Sequence, residues 1–262
     1  MTSFRELHVP GRPLLLANAW DAASARVIAD AGALAVATTS AGVAWSLGAP
    51  DGDALDRDVA IALIARVVAA VDVPVTADVE GGFAHDAAGV GETLRLVAEA
   101  GAVGVNLEDA GHGTDEPLLP IAEFAERIAA AAASGVFINA RIDTYLRGVG
   151  DPAGRLDATL ERAAAYVEAG ADGIFVPGVV DVETATLLAK GIDAPVNLLI
   201  GPGAPPVAEL AATGVARLSL GSGIAQAAYG LARKAALELF ESGTYETVAD
   251  GVEYGELNRA LS

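Results

Sequence analysis

One pattern recurs eight times along the chain and limits what it can fold into. A short apolar or β-branched run ends in polar residues, and an Ala-rich helical stretch follows it. The runs cover 14–20, 35–40, 75–80, 104–109, 137–142, 173–178, 195–200 and 217–222. None alternates cleanly with period two, as expected of strands buried on both faces. The helical stretches cover 21–31, 54–70, 88–100, 121–134, 157–169, 182–190, 205–212 and 224–242. Gly101, Gly170 and Gly214 each stand just past a helical stretch and just before the next run. A helix C-cap takes the left-handed conformation there, which costs Gly no Cβ clash. Eight strand-then-helix units predict an α/β fold of the (β/α)8 TIM barrel type, with residues 1–262 as one domain. A doubly wound open sheet is the structural rival, but no GxGxxG follows the first run.

The chain has 262 residues, enough for a large core. Its 16 Lys+Arg against 35 Asp+Glu leave a net charge of −19. Such a surface repels phosphates, so neither nucleic acid nor an anionic membrane is an expected partner. With no cysteine, disulfides, Cys-ligated zinc, iron–sulfur clusters and thiol nucleophiles are excluded. Three histidines (His8, His85, His112) argue against a His-rich metal site. No apolar run reaches the ~18 residues of a membrane span. The first residues lack the apolar core of a signal peptide. The expectation is a cytoplasmic protein.

Active sites of such barrels form at the C-terminal strand ends. The third run delivers Asp78 and Glu80 there, and the fourth Asn106, Glu108 and Asp109. The fifth brings Asn139, Arg141, Asp143 and Tyr145, and the seventh contains Asn197. Asp78 and Glu80 are two apart and so share a strand face. With Glu108 on the adjacent strand, three carboxylates are expected at equivalent depth, where they would repel one another. A hard divalent cation relieves that repulsion, and oxygen ligands favour Mg²⁺ or Mn²⁺. Arg141 is placed to clamp a substrate carboxylate. Asp21, Asp109 and Asp143 read equally well as helix caps. His112, in a Gly-flanked loop, is a candidate acid/base with a near-neutral pKa, and equally well a solvated loop residue. Tyr145 is the second candidate. His8 and His85 read as surface residues.

These residues also carry a resemblance. The segments LLLANAWDAASARVIADAGALAVATTSAGVAWSLGAPDGD, VTADVEGGFA, GVNLED, INARIDTYLRG, RAAAYVEAGADGIFVPG and PVNLL occur in this order. Together they make the chain similar to the isocitrate lyase/phosphoenolpyruvate mutase superfamily, within its phosphonomutase-like branch. The resemblance implies a barrel whose last helix is exchanged between subunits, hence a homodimer or homotetramer. It implies Mg²⁺ and stabilisation of a pyruvate-like enolate. Asp78 would be the main metal ligand, with Glu80 and Glu108 acting through water. Asp51 matches the acid in the loop after the second strand and is, with Arg141 and His112, a catalytic candidate. Ser40, Ala41 and Gly42 match the groups that bind the substrate carboxylate and oxo oxygen. Trp20 and Arg141 match a pocket aromatic and the carboxylate-binding arginine, and Asn197, in the matching PVNLL segment, is a further substrate-binding candidate. Lyases of isocitrate type carry a KKCGH loop after the fourth strand; here Asp109, Ala110, Gly111, His112 and Gly113 stand there, without Cys. From Ala110 to Pro120 there is no Lys or Arg to meet a phosphoryl group.

The expected activity is Mg²⁺-assisted cleavage or formation of a C–C bond in a small 2-oxo or 2-hydroxy acid. The alternatives are P–C chemistry of the phosphoenolpyruvate mutase or phosphonopyruvate hydrolase type, hydrolysis of an oxaloacetate-type diacid, and a non-catalytic barrel that binds 2-oxo acids.

Overall fold

A computed structural model describes residues 3–111, 116–179 and 181–262. The first run forms two short strands, β1 (Leu14–Leu16) and β2 (Asn18–Ala19). The other seven runs form β3 (Val36–Thr38), β4 (Val75–Asp78), β5 (Gly104–Glu108), β6 (Phe137–Arg141), β7 (Gly173–Val176), β8 (Val196–Leu199) and β9 (Arg217–Ser219). Every pairing is parallel, and β2 through β9 pair in chain order. Because β1 pairs with β9 while β2 pairs with β3, the first strand closes the ring. The sheet is a (β/α)8 barrel, and the open-sheet rival is excluded.

Helices α1 (Ala22–Asp30), α3 (Arg57–Ala69), α4 (Ala87–Glu99), α5 (Ile121–Ala132), α6 (Arg155–Glu168), α7 (Val182–Gly191), α8 (Val207–Ala212) and α9 (Gly223–Ser242) match the eight expected stretches. Two more are added: α2 (Ser40–Ser46), directly after β3, and α10 (Tyr254–Ala260) near the C-terminus. Carboxylates start several of them. Asp21, Asp56, Asp86 and Asp181 each accept backbone N–H groups that the first turn leaves unpaired. Asp21 and Ser24 form a reciprocal capping box, so Asp21 is a cap.

The outward strand faces pack on the helices. Ala77, Val105, Leu107, Ile138, Ile174, Val196 and Leu218 belong to one core cluster with Leu94, Phe124, Ile128 and Leu188. The barrel interior differs from the branched apolar layers usual in this fold. Thr76, Asn106, Asn139, Asn197, Arg217 and Ser219 are all buried. Arg217 on β9 donates to Asn106 on β5, a contact that must cross the barrel because the two strands are not neighbours. An N-terminal turn closes the lower end with Phe4 and His8. His8 is 7% exposed and stacks on Phe137 at 4.3 Å, and its Nδ1 lies 3.0 Å from the Phe4 carbonyl. The surface reading of His8 is therefore wrong: its aromatic neighbours form a plug that no sequence period announces. His85 is exposed as expected.

The last barrel helix leaves the body. Of the 20 residues of α9, Ala225 alone is buried, while Leu231, Leu237, Leu239 and Phe240 are exposed. Its root packs on β2 and α2, where Tyr229 meets Trp45 edge to face at 6.2 Å. The place a last helix would fill, between α1 and α8, is an apolar groove of about 970 Å³ lined by Leu15, Val27, Leu34, Val207 and Leu218 among others. Among the described residues no helix is long and apolar enough to cross a membrane.

Candidate active site

Strand β4 ends in Asp78, whose backbone N–H donates to Thr38 Oγ1 at 2.9 Å. Its Oδ2 accepts the N–H of Ser40, at the start of α2, at 3.1 Å. Its Oδ1 is buried and has no partner among the described residues. Burial pushes the Asp78 carboxyl up to about 6, and Glu108 and Asp51 add to the rise while Arg141 opposes it.

Glu80 does not stay on the strand face with Asp78. It takes a left-handed φ of 51°, which turns its carboxylate towards the loop after α2. There Oε2 accepts the N–H of Gly52 at 2.9 Å and that of Asp53. Asp53 answers by accepting the N–H of Gly81 at 3.3 Å. Burial raises the Glu80 carboxyl to about 8, with Asp78 and Asp51 contributing. Asp53 and Phe83 also have left-handed φ values, 55° and 50°. Each such residue costs ~1–3 kcal/mol, and such strain gathers where loops shape a site.

Depth is not matched as the sequence implied. Asp78 is in register with Asn106, whereas Glu108 donates its N–H to the Glu80 carbonyl at 2.9 Å. Glu108 thus lies level with Glu80, one layer above Asp78. Arg141 sits opposite Glu108 in register, and its Nη1 is 2.5 Å from Glu108 Oε2. Nε and Nη2 of Arg141 hold Asp143 at 2.6 and 2.9 Å. Burial opposes the Arg141 charge, but Glu108 and Asp143 outweigh it and hold the group cationic. The arginine read as a substrate clamp is thus already braced by two carboxylates.

The remaining candidates divide. Ser40, Ala41 and Gly42 form the buried first turn of α2. A Cβ on Gly42 would meet Trp20 Cβ and Thr39 Cγ2 at 2.8 Å, so Gly is required for α2 to seat against Trp20. Asp51 is exposed at the rim, with its charge felt by Asp78 and Glu80. Asn197 is buried in β8, its Oδ1 3.4 Å from Ser219 Oγ. Tyr145 lies against Arg155, and burial and Asp181 raise its pKa. His112 lies outside the described residues. Asp109 is not a cap; it accepts from the Asp143 N–H, Arg162 Nη1 and the Tyr166 hydroxyl. Asp143 pairs with Arg141 and Arg147. Asp53 and Arg217 were not singled out from sequence. A turn-forming Asp-Gly-Asp signalled the first, and nothing signalled the second.

Among the described residues no three acid or imidazole side chains converge on one metal-sized point. The donor set still suits a hard cation. Asp78 offers a free buried oxygen, while Glu108 and Glu80 are held around it by Arg141 and by loop N–H groups. One direct carboxylate with others standing off is how Mg²⁺ is usually held.

Fold and site together define a (β/α)8 barrel with an acidic mouth braced by one arginine. The family model described as phosphoenolpyruvate phosphomutase matches residues 4–240. An uncharacterized Mycobacterium tuberculosis protein is 38% identical over 262 residues, covering 99% of this chain and 96% of that one. The 2-methylisocitrate lyase of Escherichia coli K12 is 30% identical over 212 residues, covering 72% and 69%. A Burkholderia cenocepacia J2315 structure, provisionally described as a lyase/mutase, superposes with a TM-score of 0.90 at 42% identity, covering 98% and 93%. The chain belongs to the phosphoenolpyruvate phosphomutase family, within the isocitrate lyase/PEP mutase superfamily.

Proposed function

We propose that the protein is a Mg²⁺-dependent lyase that cleaves, or forms, a C–C bond of a small 2-oxo or 2-hydroxy acid. The observation that carries this reading is the buried Oδ1 of Asp78, without a partner among the described residues, on a carboxyl that feels the charges of Glu108 and Asp51. Asp78 would hold the cation, with Glu80 and Glu108 in the surrounding shell. The ion supplies Lewis-acid polarisation of the substrate's 2-oxygen when bound. The chain's own groups do the rest. The first turn of α2 presents backbone N–H groups beside Asp78, suited to a carboxylate or oxyanion. Arg141, held rigid by Glu108 and Asp143, keeps a fixed positive charge over the mouth and orients a substrate carboxylate with its remaining N–H capacity. His112 is the proposed acid/base. The 30% identity to a 2-methylisocitrate lyase supports C–C chemistry. P–C chemistry is the second reading, favoured by the family model and disfavoured by the absence of Lys and Arg between Ala110 and Pro120.

The exposed apolar length of α9 and the empty berth between α1 and α8 support exchange of this helix between two copies, giving a homodimer or homotetramer. A cytoplasmic location fits an acidic enzyme of small-acid metabolism.

The test is a substrate panel followed by NMR with and without Mg²⁺, using Asp78→Ala as the blank. The panel holds oxaloacetate, isocitrate, 2-methylisocitrate, dimethylmalate, citramalate, phosphonopyruvate and phosphoenolpyruvate. Metal-dependent C–C cleavage products, absent in the blank, are expected. A phosphorus shift moves the protein to the P–C reading. No turnover and no binding of any 2-oxo acid removes the site.

A further inference from the structure

Arg217 is enclosed in the barrel and is 1% exposed. Nη2 donates to Asn106 Oδ1 at 3.1 Å, and the same oxygen also accepts from Asn139 Nδ2 at 2.8 Å. Nε and Nη1 of Arg217 reach no acceptor, and no carboxylate pairs with it among the described residues. A buried arginine normally has an acid against it, because burying a lone charge is costly. Here the side chains beside it, Asn106 and Asn197, are neutral, and Asp78 acts on it without pairing. Asn197 lies beside it in register, with an unpartnered Nδ2. His8 lies below, kept uncharged by burial and by Arg217 itself, its pKa brought down to about 4. Burial lowers the guanidinium to about 9 against the pull of Asp78, so it remains cationic at neutral pH.

The two cations of the site therefore differ. The charge of Arg141 is shared with Glu108 and Asp143. Arg217 pairs with no acid among the described residues, and its bond to Asn106 ties it to the residue in register with Asp78. In a low-dielectric interior such a field reaches further than it would in water.

We propose that Arg217 is a positioning residue that acts on the site from beneath. Its enclosed, acid-free charge favours the small 2-oxo anion bound above it and disfavours the divalent cation beside that anion. This inference rests on the reading of the mouth as a metal and 2-oxo acid site. It predicts that loss of the charge weakens the anion without weakening the cation, which loss of structure cannot produce.

The experiment uses the full chain, with Mn²⁺ binding read by EPR and oxalate binding to the Mn²⁺-loaded protein read by calorimetry. Arg217→Met and Arg217→Gln remove the charge, and Arg217→Lys keeps it. In the neutral variants the oxalate Kd is expected to rise about tenfold while Mn²⁺ binds equally well or more tightly. Arg217→Lys restores most of the oxalate affinity. Weakening of both ligands together, no change in oxalate affinity, or no recovery in Arg217→Lys overturns the proposal. So does failure of both neutral variants to fold, which would make Arg217 a purely structural residue. Failure of the wild type to bind Mn²⁺ would instead show in the unsubstituted protein, as loss of the site reading, and this inference would fall with it.

Discussion

His8 is neutral because burial and the charge of Arg217 both oppose its protonation. Its pKa in the folded chain is about 4, against an unfolded value near 6.5. The unfolded chain therefore takes up a proton between those values that the folded chain refuses. Stability is full above pH 6.5 and falls as the pH drops towards 4, by about 3 kcal/mol in all. Urea unfolding at pH 7.5 and 4.5 measures it. The wild type should lose this increment and His8→Phe should not. An equal loss in both would assign the titration to other groups. The residue scale also shows where residue type misleads. The spacing of Asp78, Glu80 and Glu108 reads as one cluster at equal depth, but one left-handed φ at Glu80 shifts the geometry. Sequence spacing assumes the strand continues, and a turn stabilised by two loop N–H groups ends it.

Elements were more legible than contacts. Eight strands and eight helices emerged from hydrophobic runs punctuated by Gly, because each has a strong local signal of its own. Helix α2 did not. Ser40 through Ala44 are all buried, so the segment has no polar face to reveal its period. Arg217 escaped notice for a related reason: a charge at the head of a strand reads as a solvated end, and only closure of the barrel puts it inside. Asp109 shows what joins neighbouring units. Its carboxylate receives the Asp143 N–H from the β6 end, and Arg162 and Tyr166 from α6. Burial raises Asp109 to about 6, and those donors restrain the rise. Asp109→Ala strands the Asp143 N–H and the Tyr166 hydroxyl and leaves Arg162 without its acid, though still bonded to the Leu119 carbonyl. The expected cost is about 3–5 kcal/mol in chemical denaturation. A loss below about 1 kcal/mol would mean that the network contributes little.

At the scale of the whole molecule, the proposed exchange would cover the exposed apolar residues of α9 with a second copy. Light scattering should return a multiple of the single-chain mass. Leu231→Glu with Leu237→Glu should bring it to one chain, since both positions are exposed within a chain and tolerate charge there. A wild-type mass of one chain sinks the exchange. The root of the same helix bears on the mouth of the barrel. Ala225 lies 3.2 Å from where a Cβ on Gly42 would stand, and Tyr229 rests on Trp45. Whatever steadies α9 from outside also steadies the turn that carries Ser40. Specific activity should therefore drop on dilution, and a dilute assay would sample a looser catalyst than the crowded cell contains.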